Sequence, residues 1–425
     1  MKFASVCVLG MGYIGLPTAC TFASHGLRVT GVDVNPRILD VLRNGEVHIQ
    51  EPGLKSIVQD AFRTGHLQVG SVPVPADAFI IAVPTPINAD KTADLSFVVS
   101  AAESIVPHLR TGNLIVLEST SPPRTTVDVV RPILERSGLR AGQGFHLAYS
   151  PERVLPGQIL RELVENARVI GGIDPASAEA GRDLYSVFVR GEVVRTDATT
   201  AEMVKLMENT YRDVNIALAN EFARLAEHFG VDVWQAITAA NRHPRVKILQ
   251  PGPGVGGHCI SVDPWFLVEA APELAGLVAK ARSVNDEQPR YVVDLLRREI
   301  GSLAHRRIAV LGLTYKPDVD DVRESPAIEV VRLLAHEGAQ LTVFDPLAPQ
   351  VTLEAERVES LERAVSRAEV VLLLVAHQAL RAIDPGHLAS LTPARVAFDC
   401  HGVWDRAAWA RAGFRVRTLG APSPA

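Results

Sequence analysis

A short apolar run, SVCVL (5–9), gives way to Gly10-Met11-Gly12-Tyr13-Ile14-Gly15, a helix-like stretch, LPTACTFASHG, and a second apolar run, LRVTGVD (27–33). Strand, glycine turn, helix and strand in that order predict a βαβ unit, the opening of a doubly wound sheet. Gly10, Gly12 and Gly15 have the spacing at which such a turn leads into a helix, and the amides of Tyr13 and Ile14 at that helix N-terminus would face a pyrophosphate. Asp33 closes the second strand, where a carboxylate takes ribose hydroxyls and repels a 2′-phosphate, so the predicted cofactor is NAD. Arg37 could lie along the adenine or, alternatively, meet a 2′-phosphate.

Further apolar runs alternate with helical stretches: DAFIIAV (77–83), NLIVLEST (113–120), FHLAYSPE (145–152) and ENARVIGG (165–172). This rhythm predicts a parallel sheet with helices on both faces, in a domain spanning 1–198. Two loops fall at predicted strand ends, Val83-Pro84-Thr85-Pro86 and Glu118-Ser119-Thr120, where doubly wound sheets bind ligands. From Thr199 the pattern changes. TTAEMVKLMENTYRDVNIALANEFARLAEHFG (199–230) keeps helical periodicity for about eight turns, with Thr199 or Thr200 as cap and Gly230 as stop. A helical middle domain is expected over 199–300, and its long helix is a natural surface for a homodimer. At 306 the earlier rhythm resumes with RRIAVLGLTY, AQLTVFDP, AEVVLLLVAH and ARVAFDC, predicting a second α/β domain over 301–425. Its first turn, Gly312-Leu313-Thr314-Tyr315-Lys316-Pro317, lacks the GxGxxG spacing. The fold class expected is therefore α/β: two doubly wound Rossmann-like domains joined by a long central helix and a helical middle domain. The tail, GAPSPA, reads as a loose end.

Charge and composition narrow the function. Lys and Arg number 43 against 48 Asp and Glu, a formal charge of −5, with no basic block to bind nucleic acid and no acidic tail. The longest apolar run, VVLLLVA (370–376), is too short for a bilayer and reads as a buried strand. MKFASVCVLGMG shows no signal peptide, so no membrane association is expected. Cys7, Cys20, Cys259 and Cys400 are scattered without a CxxC, which favours a reduced, cytoplasmic protein over a disulfide framework or a zinc ribbon.

Chemistry concentrates in GPGVGGHC (252–259), where glycines let the backbone approach a substrate and Cys259 is the candidate nucleophile. Buried and inert is the commoner state of a single cysteine, but Asp263 follows in CISVDPW and His258 adjoins it. No second Cys/His cluster completes a metal site, so no metal is expected. On the long helix, Lys205, Asn209 and Arg212 share one face, and Met203, Met207, Val214 and Leu218 fall opposite, where they are expected to be core. A lysine–asparagine pair aimed at a developing oxyanion would account for an asparagine in mid-helix.

GxGYIGLP with Asp33, VPTP, EST, SPERVLPG (150–157), KLMENTYRDVNIALANE (205–221), GPGVGGHC with VDPW, and GLTYKPDVDDVRESP (312–326) occur here in one order. Together they resemble the nucleotide-sugar 6-dehydrogenases, the UDP-glucose/GDP-mannose dehydrogenase family, over essentially the whole chain. SPERVLPG, NRHPRV (241–246) and GPGVGGHCISVDPWF are most similar to the branch that acts on UDP-N-acetyl-D-mannosamine. The UDP-N-acetylglucosamine branch shares the GGHC loop, whereas the UDP-glucose enzymes usually lack the HC pair.

The resemblance implies a four-electron oxidation of a C6 hydroxyl to a carboxylate, with two NAD reduced in turn, in polysaccharide biosynthesis. Cys259 would hold the substrate as a thiohemiacetal and then a thioester, which water hydrolyses. Lys205 and Asn209 would stabilise oxyanions or pass protons, Asp263 would orient Cys259 or water, and Glu152 and Thr120 would handle water. Thr85 and Thr120 would lie beside NAD, and Arg323 would reach back to it. On the UDP-sugar, Arg153 and Val154 would touch the sugar end and Arg212 a phosphate or the sugar. His243 and Arg245 would reach the diphosphate or sugar across a dimer. Gly256 would offer a close amide, and Tyr315 and Lys316 would lie on the substrate. Arginine forks suit a diphosphate. One departure stands out: Ser119-Thr120-Ser121-Pro122-Pro123-Arg124-Thr125 has Arg124 where the family often has glycine, so that turn is expected to differ. A UDP-N-acetylglucosamine or UDP-glucose 6-dehydrogenase is the alternative enzyme. A silent nucleotide-binding protein is the alternative of another class, disfavoured because Cys259, Lys205, Asn209, Asp263 and Glu152 are all present.

Overall fold

A computed structural model describes residues 3–422, so the last three residues of the GAPSPA tail lie outside the described residues. The chain forms two compact units, Met1–Glu208 with Trp265–Pro272 and Asn209–Pro264 with Glu273–Ala425.

The first unit is built on β1 (Ser5–Leu9), β2 (Arg28–Val32), β3 (Leu67–Gly70), β4 (Ala78–Ile81), β5 (Leu114–Leu117), β6 (His146–Tyr149), β7 (Arg168–Gly172) and β8 (Val193–Asp197). They form one sheet in the order β3-β2-β1-β4-β5-β6-β7-β8. The order reverses between β1 and β4, the position at which doubly wound sheets open a ligand crevice. Unbroken apolar runs make sense here because both faces are covered. Val6 and Val8 join a core with Leu16, Cys20 and Phe22. Cys7 and Leu9 point the other way, to Phe79 and Ile81. Two features depart from the predicted parallel sheet. β7 runs antiparallel to β6, with Tyr149 opposite Gly171. β3 and β8 were not predicted: they are edge strands, and most of their residues are only partly covered, so neither forms an apolar run.

The long helix spans Ala198–Phe229. Its cap is Asp197, not Thr199 or Thr200: the Asp197 carboxylate accepts from the Thr200 amide at 2.8 Å and the Thr200 hydroxyl at 2.6 Å. Gly230, at φ +68°, ends it as predicted. The face expected to be core is largely exposed, and of the polar trio Arg212 is exposed. Met203, Met207 and Leu218 are exposed, Met207 by 56%, while Lys205 and Asn209 are buried at 9% and 8%. Val214 is half-buried. Periodicity marks two faces of a helix but does not say which one the protein covers when both contain apolar atoms.

The second unit has β9 (Arg307–Leu311), β10 (Gln340–Phe344), β11 (Glu356–Arg357), β12 (Val370–Leu373), β13 (Val396–Asp399) and β14 (Arg415–Thr418), all parallel, in the order β11-β10-β9-β12-β13-β14. The four predicted strands are its centre; β11 and β14 extend its edges. Helices Gly276–Asp286 and Gln288–Ile300 precede it. A buried polar seam ties them to the second half of the long helix. Asp213 accepts from Arg282 at 2.5 Å and Asn285 at 2.8 Å, and Asn220 donates to Asn285 at 2.9 Å.

Candidate active site

In the first unit, the turn after β1 assigns each glycine a separate task. Gly10 lies at φ +94°, and a Cβ there would sit 2.5 Å from the Ala82 carbonyl oxygen. A Cβ on Gly15 would be driven into the Gly10 carbonyl, so only glycine lets the helix Gly15–Ser24 start this close to the strand. A Cβ on Gly12 would meet nothing within 4 Å: the open side of the turn is there. No side chain caps the helix start, where Tyr13 and Ile14 lie half-buried. Asp33 accepts from the Met11 amide at 2.9 Å and from the Asn35 amide at 2.8 Å, which fixes its carboxylate at the mouth of the turn. Arg37 is exposed beside it. An open glycine position, a helix start without a side-chain cap and a fixed carboxylate together fit the pyrophosphate and ribose of NAD.

The loops after β4, β5 and β6 are tied to one another. Thr85 Oγ1 donates to the Thr120 carbonyl at 2.6 Å, and Ser119 Oγ to the Val83 carbonyl at 2.7 Å. Arg168, buried in β7, joins three groups. Its Nη2 donates to Glu152 Oε2 at 2.6 Å, and its Nη1 to Ser150 Oγ at 2.9 Å and Glu118 Oε1 at 3.2 Å. Its guanidinium lies 4.2 Å from the centre of the Tyr185 ring, and the Tyr185 hydroxyl donates to Glu118. Burial raises the Glu118 carboxyl to about 7, against the pull of Arg168 and with the help of Glu152. Glu152 Oε1 also accepts from the Arg153 amide at 2.7 Å, so both its oxygens are anchored.

Arg124 holds a left-handed backbone, φ +76°, with an L side chain. Its amide and that of Thr126 donate to the buried carboxylate of Glu202, at 2.5 and 2.7 Å, and its guanidinium folds onto Asp128 at 2.6 Å. Glu202 of the long helix thus holds this turn.

In the second unit, the GPGVGGHC loop is moulded onto the GLTYKPDVDDVRESP segment. The Gly252 amide donates to Asn220 Oδ1 at 2.9 Å and the Gly257 amide to the Arg323 carbonyl at 3.0 Å. A Cβ on Gly256 would come 2.4 Å from the Glu324 carbonyl oxygen. On Gly257, at φ +84°, it would come 2.8 Å from the Tyr315 ring. Gly256 and Gly257 are therefore required by this packing. Cys259 follows, half-buried, the one cysteine of the four that is not buried. Its carbonyl accepts from the Asp263 amide at 2.8 Å, and the Asp263 carboxylate accepts from Asn209 Nδ2 at 2.5 Å. His258 Nδ1 lies 2.9 Å from Cys259 Sγ.

Around them, Lys316 Nζ lies 5.6 Å from the Tyr315 ring centre. Burial and the nearby Arg212 lower the Lys316 ammonium, and burial followed by Asp321 and Cys259 pushes the Tyr315 hydroxyl up to about 12. The Arg323 guanidinium rests on Asp321, with Nη2 at 2.6 Å. His243 and Arg245 are exposed on a loop that Asn241 closes by bonding both backbone groups of Ile248, at 2.7 and 2.9 Å. In the first unit Arg153 pairs with Glu208 at 2.8 Å, and Val154 packs on the sheet core.

The chain matches, in order, the NAD binding domain (4–189), central domain (199–287) and UDP binding domain (309–406) of one family. It belongs to the UDP-glucose/GDP-mannose dehydrogenase family. A UDP-N-acetyl-D-mannosamine dehydrogenase of Methanococcus maripaludis is 45% identical over 424 residues, covering 98% of this chain and 96% of its own. An NDP-N-acetyl-D-galactosaminuronic acid dehydrogenase of Ralstonia nicotianae is 48% identical over 415 residues, covering 95% and 97%. The solved structure of UDP-D-ManNAc dehydrogenase from Pyrococcus horikoshii superposes with a TM-score of 0.92 at 39% identity, covering 98% of this chain and 99% of that one. The chain is an NAD-dependent nucleotide-sugar dehydrogenase. No helix among the described residues is long and apolar enough to cross a membrane.

Three side chains that organise the site were missed in the sequence: Arg168, Tyr185 and Glu202. Arg168 did leave a signal, since a lone arginine opens an otherwise apolar strand, RVIGG, and a buried charge needs a partner. Tyr185 and Glu202 sit in ordinary helical patterns and left none.

Proposed function

We propose that the chain oxidises the C6 hydroxyl of UDP-N-acetyl-D-mannosamine to the carboxylate through a covalent adduct on Cys259. The observation that carries the chemistry is Cys259 itself, half-buried next to a polar cluster while the other three thiols are buried. Bound NAD supplies the hydride acceptor for each of two oxidations. Cys259 Sγ adds to the C6 aldehyde and prevents its escape. Asn209 spends one N–H on Asp263 and keeps the other for the oxyanion. Glu152, paired with Arg168, accepts the proton of the water that cleaves the thioester. Lys205 supplies a second donor to the oxyanion, and Thr85 and Thr120 set the loops beside the nicotinamide. Arg153, Val154, Arg212, Gly256, Tyr315 and Lys316 take the sugar nucleotide.

The dehydrogenases of Methanococcus and Pyrococcus support the mannosamine sugar. The Ralstonia relative supports a second reading, an N-acetylated galacto sugar. NADH release against a panel of UDP-sugars decides between them. Two NADH per turnover with UDP-N-acetyl-D-mannosamine is the expected result; one NADH, or turnover only with UDP-N-acetyl-D-galactosamine, sinks the first reading.

A homodimer belongs to the same proposal. Met203, Met207, Tyr211, Leu218, Leu225 and Phe229 are all exposed along the long helix, at spacings that keep them near one face. A self-complementary apolar stripe of this kind suits a twofold interface. Such a dimer would present His243 and Arg245 to a neighbouring site. A cytoplasmic place in polysaccharide biosynthesis completes the reading.

A further inference from the structure

His258 and Cys259 are consecutive, and consecutive side chains ordinarily diverge: they take opposite faces of a strand and stand about 100° apart on a helix. Here Cys259 Sγ lies 2.9 Å from His258 Nδ1. The backbone explains the convergence. Gly257 turns the chain at φ +84° just before His258, and the Cys259 carbonyl gathers the amides of Val262 at 3.1 Å and Asp263 at 2.8 Å. The pair therefore stands in a tight turn, with His258 exposed and Cys259 half-buried.

We infer that His258 is the proton acceptor that converts the Cys259 thiol into the attacking thiolate. This rests on the reading that Cys259 is the nucleophile. In the step, the S–H bond breaks and its proton moves to Nδ1. The sulfur electron pair then forms the C–S bond with the aldehyde carbon that the first oxidation supplies, and the carbonyl π pair moves to oxygen. An ordinary thiol, near pKa 8.5, is only about 3% thiolate at pH 7, so a neighbouring imidazole, a group whose ordinary value is near 6.5, suits the task.

The neighbours of the pair within its unit favour this assignment. Burial opposes ionisation of Asp321, but Arg323 and, more weakly, the charge of His258 hold its carboxyl below the usual range; the same attraction supports an imidazolium on His258. Arg323 chelates Asp321, through Nε at 3.0 Å and Nη2 at 2.6 Å, and so fixes that counter-charge. Tyr315 is no competing base: its hydroxyl, pushed up to about 12, stays protonated. Asp263 commits Oδ2 to Asn209. Arg212 and Lys316 also lie near Tyr315, and both are cationic, so they favour a thiolate.

Iodoacetamide alkylation of the whole protein, without NAD or substrate, tests the pair. Burial pushes the Cys7 thiol up to about 11 and the Cys20 thiol to about 12, and raises the Cys400 thiol well above its ordinary value, so mass spectrometry of the Cys259 peptide reports the reactive thiol. His258→Asn keeps a polar group near Nδ1 but takes no proton. It should slow alkylation at pH 7 by about tenfold and move the midpoint of the rate–pH curve up toward about 8.5. His258→Gln should behave alike. A rate and midpoint unchanged in both variants overturn the inference, because a merely structural histidine would give that result. Readout and reading fail separately: a His258-dependent thiolate in a protein that turns over no UDP-sugar removes the proposed function and leaves the acid–base pair.

Discussion

Glu118→Gln probes the buried network behind Glu152. The Glu118 carboxyl is fully covered at the end of β5, between Arg168 and Tyr185, and burial raises it from 4.5 to about 7. A raised value means that the folded chain keeps a proton the unfolded chain releases. The associated stability is whole below about 4.5 and is lost as the pH climbs through about 7. At 1.36 kcal/mol per unit, and with both titration curves taken into account, the loss between pH 5.5 and 8.5 is about 2 kcal/mol. Glutamine has the same shape, still accepts from Tyr185 and has no proton to lose. Urea unfolding of both proteins across this range should therefore show the variant gaining about 2 kcal/mol on the wild type from the acid to the alkaline end. A difference that does not change with pH refutes the reasoning. The outcome bears on the site, because a neutral Glu118 leaves the Arg168 charge to Glu152.

Gly12→Ala places a methyl group in open space, so the melting temperature should hold while NAD affinity, measured by calorimetry, falls at least about tenfold through loss of close approach to the pyrophosphate. Arg124→Gly relieves a left-handed backbone at the cost of an exposed ion pair with Asp128, and should raise unfolding stability by up to about 1 kcal/mol in urea titrations. Met207→Glu combined with Tyr211→Glu puts like charges on the apolar stripe of the long helix and should halve the mass seen by analytical ultracentrifugation.

What was legible in the sequence follows from how local each signal is. The βαβ unit at Gly10 and the central strands were visible because a strand covered on both faces is an unbroken apolar run, and a glycine turn has to be written in glycine. Edge strands β3, β8, β11 and β14 are short or partly exposed, so their residues carry no such mark. The long helix was legible as a helix but not in its orientation. Its polar trio reads as a site and the methionines opposite read as core, because periodicity is blind to which face the rest of the chain covers. The Cys259–His258 contact was invisible for another reason. It depends on a backbone turn set by Gly257 and the packing of Tyr315 against it, both of which involve residues far along the chain.

The two sheets also show why similar turns serve different ends. Gly10 and Gly312 are equivalent: each follows the first strand of its unit, at φ +94° and +95°, and donates to the second strand, at Val32 and Phe344. Each second strand leads to an aspartate, Asp33 or Asp345. The resemblance ends two residues into the turn. Gly12 leaves open space where a phosphate can approach, whereas Thr314 fills the same place, its hydroxyl donating to the Lys316 carbonyl at 2.9 Å and lying 3.1 Å from His377 Nε2. Asp345 then takes the amides of Leu313, Thr314, Leu347 and Ala348 together with His377. Burial works against this carboxylate, but His377 and the amides outweigh it and hold the group well below its ordinary range. The Thr314 amide, whose counterpart Gly12 stands on the open side of its turn, is thus taken up by Asp345. With threonine at the position of Gly12, and with Asp345 gathering four amides and His377 where Asp33 gathers two amides, the second turn is filled from within, beside the Tyr315 against which Gly257 packs.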